Sequence, residues 1–285
     1  MRKNRIEKLL NIAHRGARSL APENTLIAGR KAYEAGADAW EFDVRLAADE
    51  KFVVIHDETL HKTTNAEKIF PDSESYRVDS FEYSEIERLD AGSWFEREDP
   101  FGEINRGRVS TGDLRTYRGA KVPSLRQALD LTRELGWRAN IELKPQDGPE
   151  KLSPKVLRQL VDLVVGLGME DDVVVSSFDH GMIRELHNFN SNVTGALIIE
   201  EPVPRPVEYL KRNKVKIYNL CATLLGTEKG DRIIREVKEA SSQFRVNVWT
   251  VNGGEEMKEL LANPYIDGII TDYPGRLCKI LTRVN

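Results

Sequence analysis

From Ser124 onward, short apolar runs and helical segments alternate with a regularity that few folds can accommodate. The pattern predicts helices over residues 125–135, 154–167, 181–188, 206–212, 231–240, 255–262 and 275–281. Between them it predicts strands over 138–143, 173–175, 195–199, 216–220, 244–250 and 268–271, of which Val173-Val174-Val175 is apolar throughout. Strands joined by helix-sized crossovers pair in parallel, and strands apolar on both faces are covered on both sides. Earlier in the chain, the run Ile12-Ala13-His14 reads as a first strand. Asn24 is placed to cap a helix over 25–35, which Gly36 stops. A second strand over 37–44 continues into a return arm over 52–56, so the strands number eight if the arm counts as an extension of the second.

Eight strand–helix units predict a closed (β/α)8 TIM barrel, which typically needs ~250 residues. The chain has 285, so one catalytic domain over 1–285 with a single insertion at about 58–121 is expected. That insertion shows little periodicity beyond a short helix at 81–89 and a structured loop at 90–95. No Gly-rich fingerprint follows the first strand, which argues against an open dinucleotide-binding sheet. Composition adds three constraints. A net charge of -4 with dispersed Lys and Arg leaves no footprint for nucleic acid. Cys221 and Cys278 lie in apolar segments and read as buried core thiols without a disulfide. Residues 1–10 are basic without an apolar signal core, and no run approaches ~18 apolar residues. No transmembrane segment and a cytoplasmic protein are therefore expected.

In a barrel, the residues ending the strands form the catalytic face. Here those ends carry His14 and Arg15, Glu41 and Asp43, Glu142 and Lys144, Ser176, and Trp249 with Asn252. The stretch from Trp40 to Asp57 has the form of a hairpin. If its turn centres on Asp49-Glu50, Asp43 faces His56 with Cβ atoms about 5 Å apart, and Glu41 shares that face. A shift of one residue would send His56 to the other side. Burying such a group without a metal or a substrate would be costly.

Glu41, Asp43 and Glu142 offer an all-oxygen set suited to one divalent cation, Ca2+ or Mg2+, rather than zinc. The alternatives are a transition-metal site completed by the histidines, or carboxylates neutralised by Arg15 and Lys144. His14 and His56 suit acid–base work near neutral pH. His61, His180 and His187 fall in loop or helix contexts and read as structural. Arg15 presents a planar fork and Lys144 a point charge, both suited to phosphate, and Gly16 lets backbone approach such an anion. Together these residues point to phosphodiester cleavage.

The same residues resemble a known family. His14-Arg15-Gly16, Pro22-Glu23-Asn24-Thr25, Gly36-Ala37-Asp38, Glu41-Phe42-Asp43-Val44 and Val53-Val54-Ile55-His56-Asp57 are similar to the signature of glycerophosphodiester phosphodiesterases. Later blocks, including Ile141-Glu142-Leu143-Lys144, Val248-Trp249-Thr250-Val251-Asn252 and Thr271-Asp272-Tyr273-Pro274, follow in the same order. The resemblance implies a TIM barrel with an insertion after the second strand, ligands Glu41, Asp43 and Glu142, and the acid–base pair His14 and His56. It also implies hydrolysis of a small-molecule glycerophosphodiester, such as glycerophosphocholine, to sn-glycerol 3-phosphate and an alcohol. The nucleophile would be water or the glycerol 2-hydroxyl. Trp249 and Phe178 are candidates to pack on the glycerol carbons. Ala28-Gly29-Arg30 departs from the family's usual Ala-Phe pair in the first helix. Two competing functions use the same residues: a lysophospholipase-D-like hydrolase with an apolar groove, and a non-catalytic barrel that binds phosphate esters.

Overall fold

In the computed structural model, residues 9–145 and 153–284 are described, and the basic stretch at 1–8 lies outside them. The elements run β1 (Leu10–Ala13), α1 (Leu26–Glu34), β2 (Ala39–Leu46), β3 (Phe52–Val54), α2 (Ala66–Ile69), α3 (Tyr83–Ile86), α4 (Ser93–Glu98), α5 (Thr111–Tyr117) and α6 (Leu125–Glu134). They continue with β4 (Ala139–Leu143), α7 (Pro154–Gly166), β5 (Val173–Ser177), α8 (His180–Phe189), β6 (Thr194–Ile199), α9 (Pro206–Arg212) and β7 (Ile217–Cys221). The chain closes with α10 (Glu228–Ala240), β8 (Arg245–Trp249), α11 (Gly254–Leu261), β9 (Gly268–Thr271) and α12 (Pro274–Val284). The sheet order β1-β9-β8-β7-β6-β5-β4-β2, with β1 also paired to β2, closes eight parallel strands into a TIM barrel. The arm β3 is a separate antiparallel strand outside that ring.

Strand periodicity decides what reaches the lumen. Trp40, Phe42 and Val44 of β2, Ile141 and Leu143 of β4, and Val246 and Val248 of β8 join the apolar layer under the helices. Their alternate neighbours Glu41, Asp43, Asn140, Glu142, Ser176, Asn219 and Asn247 fall on the other face. Register then stacks these residues. Glu41 lies beside Asn140 and Asp43 beside Glu142 across β2–β4, and Glu142 lies beside Ser176 across β4–β5. A lumen filled by branched aliphatics would give only a packed core. This one is polar toward its carboxyl end.

Three expectations are corrected. The hairpin pairs Val44 with Val54 and Leu46 with Phe52, one residue away from the expected register. Its loop holds a third residue because Glu50 adopts a left-handed conformation at φ 57, as in three-residue hairpins built on a turn plus a left-handed residue. The first helix is capped by the Thr25 side chain, which accepts from Ala28 N–H, rather than by Asn24. Asn24 sits at φ 58 and commits its amide elsewhere. Residues 90–95 are not a loop throughout, since α4 begins at Ser93.

The insertion contains α2 to α5, helices of four to seven residues, too short to complete two turns and leave a periodic signal. Its side chains bury two apolar clusters. Leu60, Phe81, Ile86 and Leu89 pack with Val53 and Ile55 beside the hairpin, and Trp94, Phe95 and Tyr117 pack with Ala21 and Ala28 beside α1. Both cysteines are free and half-buried rather than core residues.

Candidate active site

Glu41 and Asp43 arrive on β2, and Glu142 arrives one strand over on β4. All three are buried, and each offers an oxygen within 4.8 Å of the others'. Glu41 Oε2 accepts from Arg15 N–H at 2.8 Å, whereas its buried Oε1 has no hydrogen-bond partner. Asp43 Oδ2 accepts from Asn24 Nδ2 at 2.8 Å, and the Asp43 N–H donates to Asn24 Oδ1 at 3.1 Å. Lys144 Nζ lies 2.8 Å from Asp43 Oδ1 and also donates to Glu142 Oε1. Arg15 reaches Glu23 at 2.8 Å and Asp43 at 3.3 Å. Arg15 and Lys144, expected to meet a phosphate, thus spend their charge on these carboxylates here.

Two cations against three buried carboxylates leave a deficit, and the ionisation of each acid reflects it. Burial, together with the charges of Asp43 and Glu142, holds Glu41 well above the usual carboxylate range. Burial and Asp43 also raise Glu142, against the pull of Lys144. Burial pushes Asp43 the same way, but Lys144 and Arg15 outweigh it and hold the group well below its usual value. An unpartnered oxygen among like charges is an expensive arrangement without a further cation. The set fits a hard divalent ion, which takes oxygen ligands.

Each histidine has an acid behind it. His14 Nδ1 is 2.7 Å from Asp272 Oδ1, and His56 Nδ1 is 2.6 Å from Asp57 Oδ1. Asp272 is held in turn by Asn252 Nδ2 at 2.7 Å, and Asp57 by Lys62 at 2.9 Å. Both rings therefore keep Nε2 for other partners. Burial pulls His14 below its ordinary value, with Asp272 opposing, so the ring is neutral at pH 7. The bond to His56 takes Asp57 far below the usual carboxylate range.

His14, Glu41, Glu142, Ser176, Asn219 and Trp249 line one narrow cavity of about 20 Å³ on the barrel axis. His56 is not set opposite Asp43 by the ladder, because the register is shifted. Ile55, not His56, stands opposite Asp43, its N–H donating to the Asp43 carbonyl at 3.0 Å. With β3 ending at Val54, His56 lies beyond the ladder, its carbonyl held by Arg45 Nε at 2.7 Å. His56 is still close enough to lower Asp43 and Glu142 electrostatically. Phe178 is 37 % exposed and meets Trp249 edge-to-face at 5.6 Å, placing it at the rim rather than in the cavity.

Gly16 has a different neighbour from the anticipated anion: at φ 79, a Cβ there would meet the Ala28 backbone at 2.6 Å. His180 is structural, bonded through both nitrogens to Tyr209 and the Ile198 carbonyl. Sequence reasoning gave no role to Asp272, Asp57 or Glu23, and gave Asn24 only that of a helix cap. The available signals were adjacency for Asp57 and the blocks Pro22-Glu23-Asn24-Thr25 and Thr271-Asp272-Tyr273-Pro274.

Comparison with known proteins identifies the family. Residues 14–276 match the glycerophosphoryl diester phosphodiesterase family. A glycerophosphodiester phosphodiesterase of Bacillus altitudinis is 32% identical over 271 residues, 94% of this chain and 96% of its own length. Another from Caldanaerobacter subterraneus is 31% identical over 278 residues, covering 97% and 99%. Among solved structures, glycerophosphodiester phosphodiesterase of Agrobacterium tumefaciens superposes with a TM-score of 0.72 at 27% identity, covering 95% of this chain and 99% of that one. An Oleispira antarctica phosphodiesterase in complex with the product sn-glycerol-3-phosphate shares the fold, with a TM-score of 0.79 at 22% identity over 96% and 97%.

Proposed function

The chain belongs to the glycerophosphoryl diester phosphodiesterase family, and from that membership we propose that it hydrolyses glycerophosphodiesters to sn-glycerol 3-phosphate and an alcohol at the carboxylate cluster. The observation that carries this reading is the buried triad Glu41, Asp43 and Glu142, with Glu41 Oε1 unpartnered, flanked by two histidines that are each backed by an aspartate. The triad would hold one divalent cation, Ca2+ or Mg2+. Such an ion supplies Lewis-acid polarisation of a phosphoryl oxygen and charge neutralisation. The bound product of the Oleispira relative is what this chemistry would release.

The remaining work falls to side chains of this chain. Arg15 and Lys144 stabilise phosphate charge, exchanging part of their present contact with Asp43, Glu23 and Glu142 for the substrate. His14, neutral because it is buried, takes the nucleophile's proton on Nε2 while Asp272 fixes the ring through Nδ1. His56, oriented by Asp57, delivers a proton to the leaving alkoxide. The Trp249 face, its Nε1 anchored on the Asn219 carbonyl at 2.9 Å, closes the cavity wall beside the glycerol carbons, with Phe178 at the rim.

A well-placed acid or base supplies ~10²–10⁴-fold in rate. His14→Ala and His56→Ala should each lower kcat for release of sn-glycerol 3-phosphate from glycerophosphocholine by about that factor while leaving KM nearly unchanged. Near-normal turnover in either variant would remove that histidine from the mechanism.

A further inference from the structure

A basic concavity lies apart from the catalytic cleft. A cavity of about 440 Å³ opens between the loop after β1, the insertion and the amino end of α12, lined by Glu103, Arg108, Tyr273, Arg276, Lys279 and Arg283 among others. It shares none of the residues assigned to the proton transfers or to the carboxylate triad. The volume falls within the usual range for small-ligand sites, about 300–1,000 Å³.

Its charge is lopsided. Glu103 is the one acid in the wall, and both its oxygens are already taken, by Arg106 and Arg108 at 2.9 Å each. Arg276 is fixed, donating to the Asn252 carbonyl with its guanidinium 4.0 Å from the Tyr273 ring centroid. Lys279 and Arg283, one turn apart on α12, have no acidic partner among the described residues. Like charges at that spacing repel, and the amino end of α12 adds positive potential. In a chain of net charge -4, this is a local concentration that the overall balance does not explain.

Guanidinium forks, an ammonium and a helix amino end lining one concavity suit a tetrahedral oxyanion carrying two charges. We propose that this cavity is a second, non-catalytic binding site for a phosphomonoester, a class that includes the product assigned above. The binding claim itself does not depend on the reaction.

The test titrates inorganic phosphate calorimetrically into the full chain and into Lys279→Glu/Arg283→Glu, with Lys279→Ala/Arg283→Ala as a milder pair. A parallel arm sediments the same proteins with phosphatidylcholine vesicles lacking or containing phosphatidic acid. Charge reversal should weaken phosphate binding by about tenfold or more, equivalent to ~1.4 kcal/mol, and the Ala pair less. Turnover of glycerophosphocholine without added phosphate should be unchanged in both. Loss of phosphate binding with no vesicle retention identifies a free phosphomonoester, and retention only on phosphatidic acid, lost in the variants, identifies a lipid-borne one. Phosphate affinity and vesicle retention both unaffected by either pair would overturn the proposal. Because the wild-type chain's turnover is read separately, failure of the functional assignment would be recognised as such.

Discussion

At the residue scale, a few side chains each do what their neighbours force on them. The strand-end carboxylates and histidines were legible because charged residues are out of place where strands end in apolar barrels. Their supporting partners were not, since Asp272 meets His14 across 258 positions of sequence and nothing local marks the pairing. This partnership makes a pH prediction. His14 in the folded chain lies below its ordinary 6.5, through burial first and the nearby Arg15 charge, with Asp272 raising it. Between its lowered value and 6.5 the unfolded chain binds a proton that the folded chain refuses, so His14's contribution to stability falls as pH drops through that window. The neutral base survives below pH 6.5, so the acid limb of kcat/KM should lie below that value. Asp272→Asn removes the raising influence and should move the limb lower still. It should also cost about tenfold or more in kcat, because the ring loses its oriented tautomer. A pH–rate profile of both proteins reads this directly, and an acid limb that rises in the variant would exclude the assigned role.

At the scale of elements, the errors in reading have physical causes. The hairpin register slipped by one because Glu50 takes a left-handed conformation that no local sequence signal demands of a glutamate. The short helices of the insertion carry too few turns to show a period. The first helix shows the opposite case, a departure whose reason appears only in packing. Gly29, in the segment that departs from the Ala-Phe pair of the resembled family, would place a Cβ 2.9 Å from the Trp40 ring and 3.2 Å from Leu131. Trp40 cannot retreat easily: it is fully buried, bonded to Thr132 at 2.9 Å and stacked on Trp137. Gly→Ala inside a helix normally gains roughly 0.5–1 kcal/mol, while overpacking a well-filled core costs about 1–3 kcal/mol. The second effect should win, so Gly29→Ala should lower the urea midpoint rather than raise it. A stabilised variant would show that the ring has room to move.

For the whole molecule, the strand–helix alternation was enough to specify a closed barrel, because eight parallel crossovers have few other solutions. The polar lumen comes from the period of two along those strands. What the cavity accepts follows from surface chemistry. Large apolar side chains exposed among the described residues are Tyr33, Val165 and Phe178, none of them in the insertion. The insertion's apolar groups are instead consumed in its own clusters, and no described helix is long and apolar enough to cross a membrane. Among the described residues, a long acyl chain therefore meets no exposed apolar patch in the insertion. Glycerophosphocholine should be turned over faster than long-chain lysophosphatidylcholine, and the reverse order in a side-by-side assay would favour a lipid substrate.

Phosphodiester chemistry at the carboxylate triad calls for a bound cation. Its most direct test follows release of sn-glycerol 3-phosphate from glycerophosphocholine by an enzyme-coupled assay, before chelation, after exhaustive EDTA treatment, and after return of Ca2+ or Mg2+. Turnover should vanish with EDTA and recover with one of these ions, and Glu41→Gln should abolish the recovery. Full activity persisting after chelation, or no release under either cation, would contradict it.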